Sequence, residues 1–179
     1  MDGQEQIQIG VVLERHSIDN PWQRYAWRTV AVVPGASGFI EWKEMASGPR
    51  WTHYYAANLP LTLYRKETEG YRTNLSQPIP SLYVVLKDIN DERPKPFLVT
   101  ACPFEAGDYE ISGDERADKV PMPNEILSLV GHFIETHHIQ EPFTKRQRKS
   151  LQDLKSGQSE DTMESQTRFN LSDGQASDG

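Results

Sequence analysis

The chain has 179 residues, of which 36% are hydrophobic and 25% charged, and its formal net charge is −7. Those figures describe one soluble domain with a polar extension, and no apolar run approaches the ~18 residues of a membrane span. A lone cysteine, Cys102, excludes an intramolecular disulfide and a cysteine-based metal knuckle within the chain.

The opening segment "MDGQEQIQIG" has no basic start and no apolar signal core, so export is not expected and a reducing cytoplasm is the expected location. "IQIGVVLERH" is apolar and β-branched from Ile7 to Leu13 and predicts a strand. In "RYAWRTVAVVPG", Tyr25, Trp27, Thr29, Ala31 and Val33 alternate with Arg24, Ala26, Arg28, Val30 and Val32. That two-residue period predicts a second strand with one set on each face, stopped by Pro34-Gly35. "FIEWKEMASG" predicts a shorter strand. "WTHYYAANLPLTLYR" predicts a long one, with Trp51, His53, Tyr55, Ala57, Leu59, Leu61 and Leu63 on one face. Pro60 has no N–H to donate, which predicts a bulge or an edge there. "SLYVVLKDI" and "PFLVTA" follow around the turn "NDERPKP". About six strands on short connections predict mostly antiparallel pairing, as a sheet or a partly open barrel.

The last third is helical. "PFEAGDYEIS" predicts a short helix. "PMPNEILSLVGHFIETHHI" predicts an amphipathic helix with Pro123 at its start and Ile126, Val130, Phe133, Ile134 and His137 on one stripe. Such a helix covers one face of an antiparallel sheet, so the expected class is α+β. All four tryptophans and all seven tyrosines lie between Trp22 and Tyr109. The segment after 148 is rich in Ser, Gly, Gln, Asp and Glu and cannot bury enough apolar surface to offset its ordering entropy. The expected organisation is a single domain over residues 5–147 and a disordered polar tail over 148–179. Residues 144–179 carry six basic and six acidic residues, so the whole −7 sits on the body. An acidic body repels a phosphate backbone, which argues against general nucleic-acid binding. The cluster "KRQRK" at 145–149 reads as a solvated flank of the last helix rather than an anion site.

Few residues point to catalysis. There is no phosphate loop with its lysine, no dinucleotide fingerprint, no nucleophile elbow and no His-Glu-x-x-His. Cys102 precedes Pro103 at a helix start, where a thiolate would be favoured, but no base accompanies it, and it reads as a small buried residue. His132 and His137 fall some 140° apart on a helix and do not converge on a metal. Neither a cofactor nor a metal is expected, and no catalytic residue is assigned. Glu105, Asp108 and Glu110 cluster, which surface solvation explains at least as well as acid–base work.

The stretches "GVVLERHSIDNPWQRYAWRTVAVVPG", "YYAANLPLTLYRKETEGYRTNLSQPIPSLYVVL", "VTACPFEAGDYEISGDERADKVPMP" and "ETHHIQEPFTKRQRK" together resemble one proteobacterial domain family of unknown function, over about residues 7–149. Its most specific piece is the Asp-Asn-Pro-Trp-Gln run leading into Trp-Arg and a strand. The resemblance implies an accessory role, because members are often encoded beside genes for molybdenum-dependent formate dehydrogenase and its maturation factors. Members usually have serine where this chain has Cys102, which argues further against thiol chemistry.

Two readings of function follow. The first is a non-catalytic binding protein whose client is formate dehydrogenase or one of its maturation factors. Its contact residues would be Trp22, Arg24 and Arg28, since aromatics and arginine are the types enriched in interface anchors. The alternative is a small enzyme acting on a cofactor or its precursor, using carboxylates or His53. Trp27 reads as a core plug. Trp22 reads as a lid on the sheet or as a contact residue, with burial the default for a tryptophan.

Overall fold

The computed structural model describes residues 3–38 and 40–139; the basic cluster at 145–149 and the polar tail from 148 lie outside the described residues. Seven strands form: β1 (Gln4–Ser17), β2 (Tyr25–Pro34), β3 (Lys43–Ser47), β4 (Trp51–Tyr64), β5 (Ser81–Lys87), β6 (Lys95–Thr100) and β7 (Arg116–Pro121). Three helices accompany them: α1 (Thr68–Leu75), α2 (Pro103–Glu110) and α3 (Asn124–His137). The class is α+β, as the sequence indicates, and all six expected strands are present. The sheet runs β2-β1-β4-β6-β5-β7, with β3 also paired to β4, over residues 52–55. All pairings are antiparallel except β4 with β6, which meet in parallel at Leu61 and Val99. That exception follows from α1, which carries the chain across before β5 and β6 form their hairpin.

The sheet nearly closes on itself. Leu82↔Val120, Val84↔Asp118 and Leu86↔Arg116 set Asp118 and Arg116 on the same face of β7 as buried Val120. Asp118 Oδ2 accepts the Thr29 N–H at 2.7 Å, and Arg116 Nη2 donates to the Trp27 carbonyl at 2.7 Å. Side chains of β7 thus satisfy backbone groups on β2, the opposite edge of the sheet, which would otherwise lie unpaired.

Two bulges reassign the faces read from strict alternation. Val11 pairs with Ala57 and Val12 with Tyr55, so Ala56 is an extra residue in β4. Trp51, His53 and Tyr55 therefore lie on one face, while Leu59, Leu61 and Leu63 lie on the other. The expected single face is corrected: a one-residue insertion inverts every side chain beyond it. Pro60 itself pairs with Gln8 without a register shift. On the other flank, Val12 pairs with Ala31 and Leu13 with Thr29, leaving Val30 extra. Trp27, Thr29 and Val32 face the main core; Val30 and Val33 pack against a smaller cluster.

The main core lies between the inner sheet face and helices α1 and α3. Ile9, Val11, Leu13, Leu61, Leu82 and Val84 meet Tyr71 of α1 and Ile126, Val130 and Phe133 of α3, all essentially inaccessible. Trp27 is part of this core, edge-on to Trp42 at 5.7 Å. The smaller cluster holds Val12, Ala36 and Tyr55. Gly10 makes room for it, since a β-carbon there would overlap the Tyr55 ring. The α3 stripe is buried at Ile126, Val130 and Phe133 as its spacing requires. Helix α1 and strand β7 were not expected from the sequence.

Candidate interaction site

Two turns meet at one end of the sheet. The β1–β2 loop closes with the Ile18 N–H bonded to the Arg24 carbonyl at 3.0 Å, and the β3–β4 turn closes with Gly48 N–H bonded to the Trp51 carbonyl at 2.8 Å. The Ser17 N–H bonds the Arg50 carbonyl at 2.9 Å and holds the two turns together. Register then fixes which side chains gather: Ser17 opposite Tyr25, His16 opposite Trp51, Arg15 opposite Thr52. Gly48 is required here because a β-carbon would overlap the Trp51 indole nitrogen.

Trp22 stands at the tip of the first loop, with its N–H bonded to Asn20 Oδ1 at 2.9 Å. Its ring is 94% exposed, so it is neither a core plug nor a lid. The default of burial fails because an Asx turn, not packing, fixes this segment. Tyr25 is 40% exposed and Trp51 36% exposed. Arg24 is exposed and forms no ion pair among the described residues.

Arg28 is engaged within the sheet. Its Nε lies 2.9 Å and its Nη2 2.8 Å from Glu14 Oε1 on the neighbouring strand. Glu14 Oε2 accepts from His53 Nε2 at 2.8 Å, from the strand on its other side. Arg28, Glu14 and His53 thus form a row across β2, β1 and β4, set by the pairs Glu14↔Arg28 and Glu14↔His53. His16 Nδ1 lies 3.7 Å from the same carboxylate, and Trp51 stacks on His53 at 4.5 Å. Burial alone would raise the Glu14 carboxyl, but the hydrogen bonds from His53 and Arg28 outweigh it and hold the group below its ordinary value of 4.5. Glu14 is 8% exposed, so its charge needs both partners. Arg28 retains N–H donors beyond the two it uses, because a guanidinium carries five.

The residues that sequence reasoning missed are Arg15 and Arg50. The Arg15 guanidinium lies 4.5 Å from the Tyr25 ring centroid and 5.5 Å from that of Tyr54, and it forms no ion pair among the described residues. Arg50 Nη2 lies 3.2 Å from Asp19 Oδ1, in a pair exposed on both sides. Arg15, Ser17, Tyr25, Arg50, Trp51 and Thr52 line a cleft of about 190 Å³. Arg15, Arg24, Arg28 and Arg50 thus gather at one end of a chain whose net charge is −7, with Glu14 paired to Arg28 and Asp19 to Arg50.

The other candidates have structural partners. Cys102 is inaccessible, caps α2 and places Sγ 3.0 Å from Glu67 Oε2. Burial, with the nearby Glu67 carboxylate adding to it, pushes the thiol up to about 11, the reverse of nucleophile activation. Arg72 Nη1 donates to His138 Nε2 at 2.8 Å. His138 Nδ1 lies 3.1 Å from Thr68 Oγ1. His137 packs on Phe133 at 4.6 Å. Among the described residues, no group of three or more His, Cys, Asp or Glu is arranged to hold a metal ion. No described helix is long and apolar enough to cross a membrane.

A family model described as "Protein of unknown function (DUF3305)" matches residues 8–147, which includes nearly all of the described fold and the whole of this site. The chain belongs to the DUF3305 family. No curated protein and no solved structure matches it. Membership agrees with the resemblance read from the sequence at the level of a domain of unknown function. In this DUF3305 domain, the most specific run of that resemblance, Asp19 to Gln23, forms the exposed loop that carries Trp22.

Proposed function

We propose that this DUF3305 protein is a non-catalytic, cytoplasmic accessory protein that docks a larger protein client through the end of the sheet bearing Trp22, Arg24, Tyr25, Arg50 and Trp51. The observation that carries the proposal is a concentration of arginine and accessible aromatic side chains on an otherwise acidic chain. Exposed rings beside guanidinium groups supply both the apolar anchor and the orienting charge of a protein interface. Trp22 is the anchor of this surface, Arg24 supplies charge that no described residue pairs, and Arg28 contributes its remaining donors from the sheet edge. The client is a molybdenum-dependent formate dehydrogenase or one of its maturation factors. Support for that client is the resemblance to a family often encoded beside those genes. Affinity purification from the native host, with and without formate dehydrogenase expression, tests it. The enzyme or its maturation factors should be recovered with the tagged chain; purification without them contradicts the client assignment.

A second reading, a small enzyme, draws on the Glu14–His53 pair, where a carboxylate orients an imidazole at 2.8 Å. Glu14 is shared with Arg28 in the same row, and that favours a structural role for it. His53→Gln separates the readings: client capture is retained on the docking reading, and cellular formate dehydrogenase activity is lost only on the enzymatic one.

A further inference from the structure

We infer that the cleft between Arg15 and Arg50 is a carboxylate pocket that seats a glutamate or aspartate side chain from an acidic segment of the client; this rests on the docking reading above. Arg15 is half-buried, forms no ion pair among the described residues, and is positioned by the rings of Tyr25 and Tyr54 at 4.5 and 5.5 Å. A guanidinium held by ring faces keeps its planar fork free for bidentate hydrogen bonds, the geometry that a carboxylate matches. Arg50, which also lines the cleft, already donates to one carboxylate, Asp19 at 3.2 Å. Both members of that pair are exposed, so it is weakly held and an incoming acid can replace Asp19. Ser17 and Thr52 add hydroxyl groups to the lining, which is mostly polar. The volume of about 190 Å³ is below the roughly 300–1,000 Å³ of small-molecule sites, and it suits one side chain rather than a cofactor. Trp22, in the loop that leads into Tyr25, gives the rest of a docking segment an apolar contact.

The test uses the full chain and a fluorescein-labelled oligoglutamate peptide, with oligoglutamine and sodium acetate as comparators. Oligoglutamate should bind in a salt-sensitive manner and oligoglutamine should not. Arg15→Gln and Arg50→Gln should each weaken binding by about tenfold or more with the thermal midpoint unchanged. Arg15→Lys, which keeps the charge and loses the fork, should fall between. On the wild-type chain, the Arg15 Nε–Hε resonance should shift as oligoglutamate is added, a readout that does not depend on any variant folding. The pocket is overturned if oligoglutamate does not bind, if Arg15→Gln binds it like wild type, or if that resonance stays still. It is also overturned if acetate displaces the peptide at equal molar concentration, since the cleft then takes free small anions. Trp22→Ala keeps the two claims apart. If it abolishes client capture while Arg15→Gln does not, docking stands and the pocket falls; if neither variant alters capture, both fall.

Discussion

Asp118 accepts the backbone N–H of Thr29 at 2.7 Å, and through that bond the last strand fastens the edge of the second. Arg116 holds the same carboxylate through Nε at 2.7 Å while reaching the Trp27 carbonyl with Nη2. Asp118→Ala leaves a buried N–H and a guanidinium without their partner. It should cost about 2–3 kcal/mol, the scale of a hydrogen bond to a charged group. Denaturant unfolding of the variant measures this; an unchanged midpoint would show that the two strand edges do not depend on each other.

The row through Glu14 gives a pH prediction. The folded chain keeps Glu14 ionised further into acid than the unfolded chain does, because its carboxyl is held below 4.5. The stability it contributes is therefore fully present above pH 4.5 and is lost as pH falls through the lower folded value. Glu14→Gln should cost about 2 kcal/mol at neutral pH. The difference between variant and wild type should shrink on acidification below pH 4.5. A difference that grows in acid would contradict the arrangement.

Asn74 ties α1 to the start of β5 and to the residue that follows β6. Its Nδ2 donates to the carbonyls of Ser81 at 2.7 Å and Ala101 at 2.8 Å, and its Oδ1 accepts the Ser81 N–H at 3.0 Å. The side chain is wholly buried. Asn74→Ala should destabilise by about 3 kcal/mol, since each buried backbone group left unpaired costs roughly 1–3 kcal/mol. Asn74→Asp should be worse, because it sets a carboxylate against two carbonyl oxygens. Thermal midpoints of the two variants in that order would bear this out; Asn74→Asp at wild-type stability would not.

Cys102 should be silent towards a neutral-pH thiol reagent. Burial leaves no access, and a thiol pushed up to about 11 supplies little thiolate. Modification with a chromogenic disulfide should track global unfolding in denaturant. Rapid labelling of the native chain would show an open path to Sγ.

The strands were legible because alternating apolar residues in β1, β2 and β4 carry the two-residue period. Their faces were legible only as far as the bulges at Val30 and Ala56. A bulge leaves composition unchanged and inverts orientation, so strict alternation sets Leu59 and His53 on one face while the fold sets them on opposite faces. Helix α1, "TEGYRTNL", has five weak helix formers among its eight residues and is held by the packing of Tyr71 and the bonds of Asn74. Strand β7, "RADKVP", is short and polar and reads as a loop until β5 and β2 are in place. At the site, Trp22 and Arg24 were readable as a local motif. Arg15 was not, because its setting comes from Tyr54, Tyr25 and Arg50, which only the strand register brings together. The partner of Arg28 was hidden for the same reason, since Glu14 lies fourteen residues away and meets it across the β1–β2 ladder.

Client capture by the Trp22→Ala, Arg24→Ala double variant tests the central claim most directly. Both side chains are exposed, so the thermal midpoint should stay within about 0.5 kcal/mol equivalent of wild type. Recovery of formate dehydrogenase or its maturation factors with the tagged variant should fall sharply, along with formate dehydrogenase activity in cells. A folded double variant that captures the same client at wild-type yield and supports full activity would contradict the assignment of this surface.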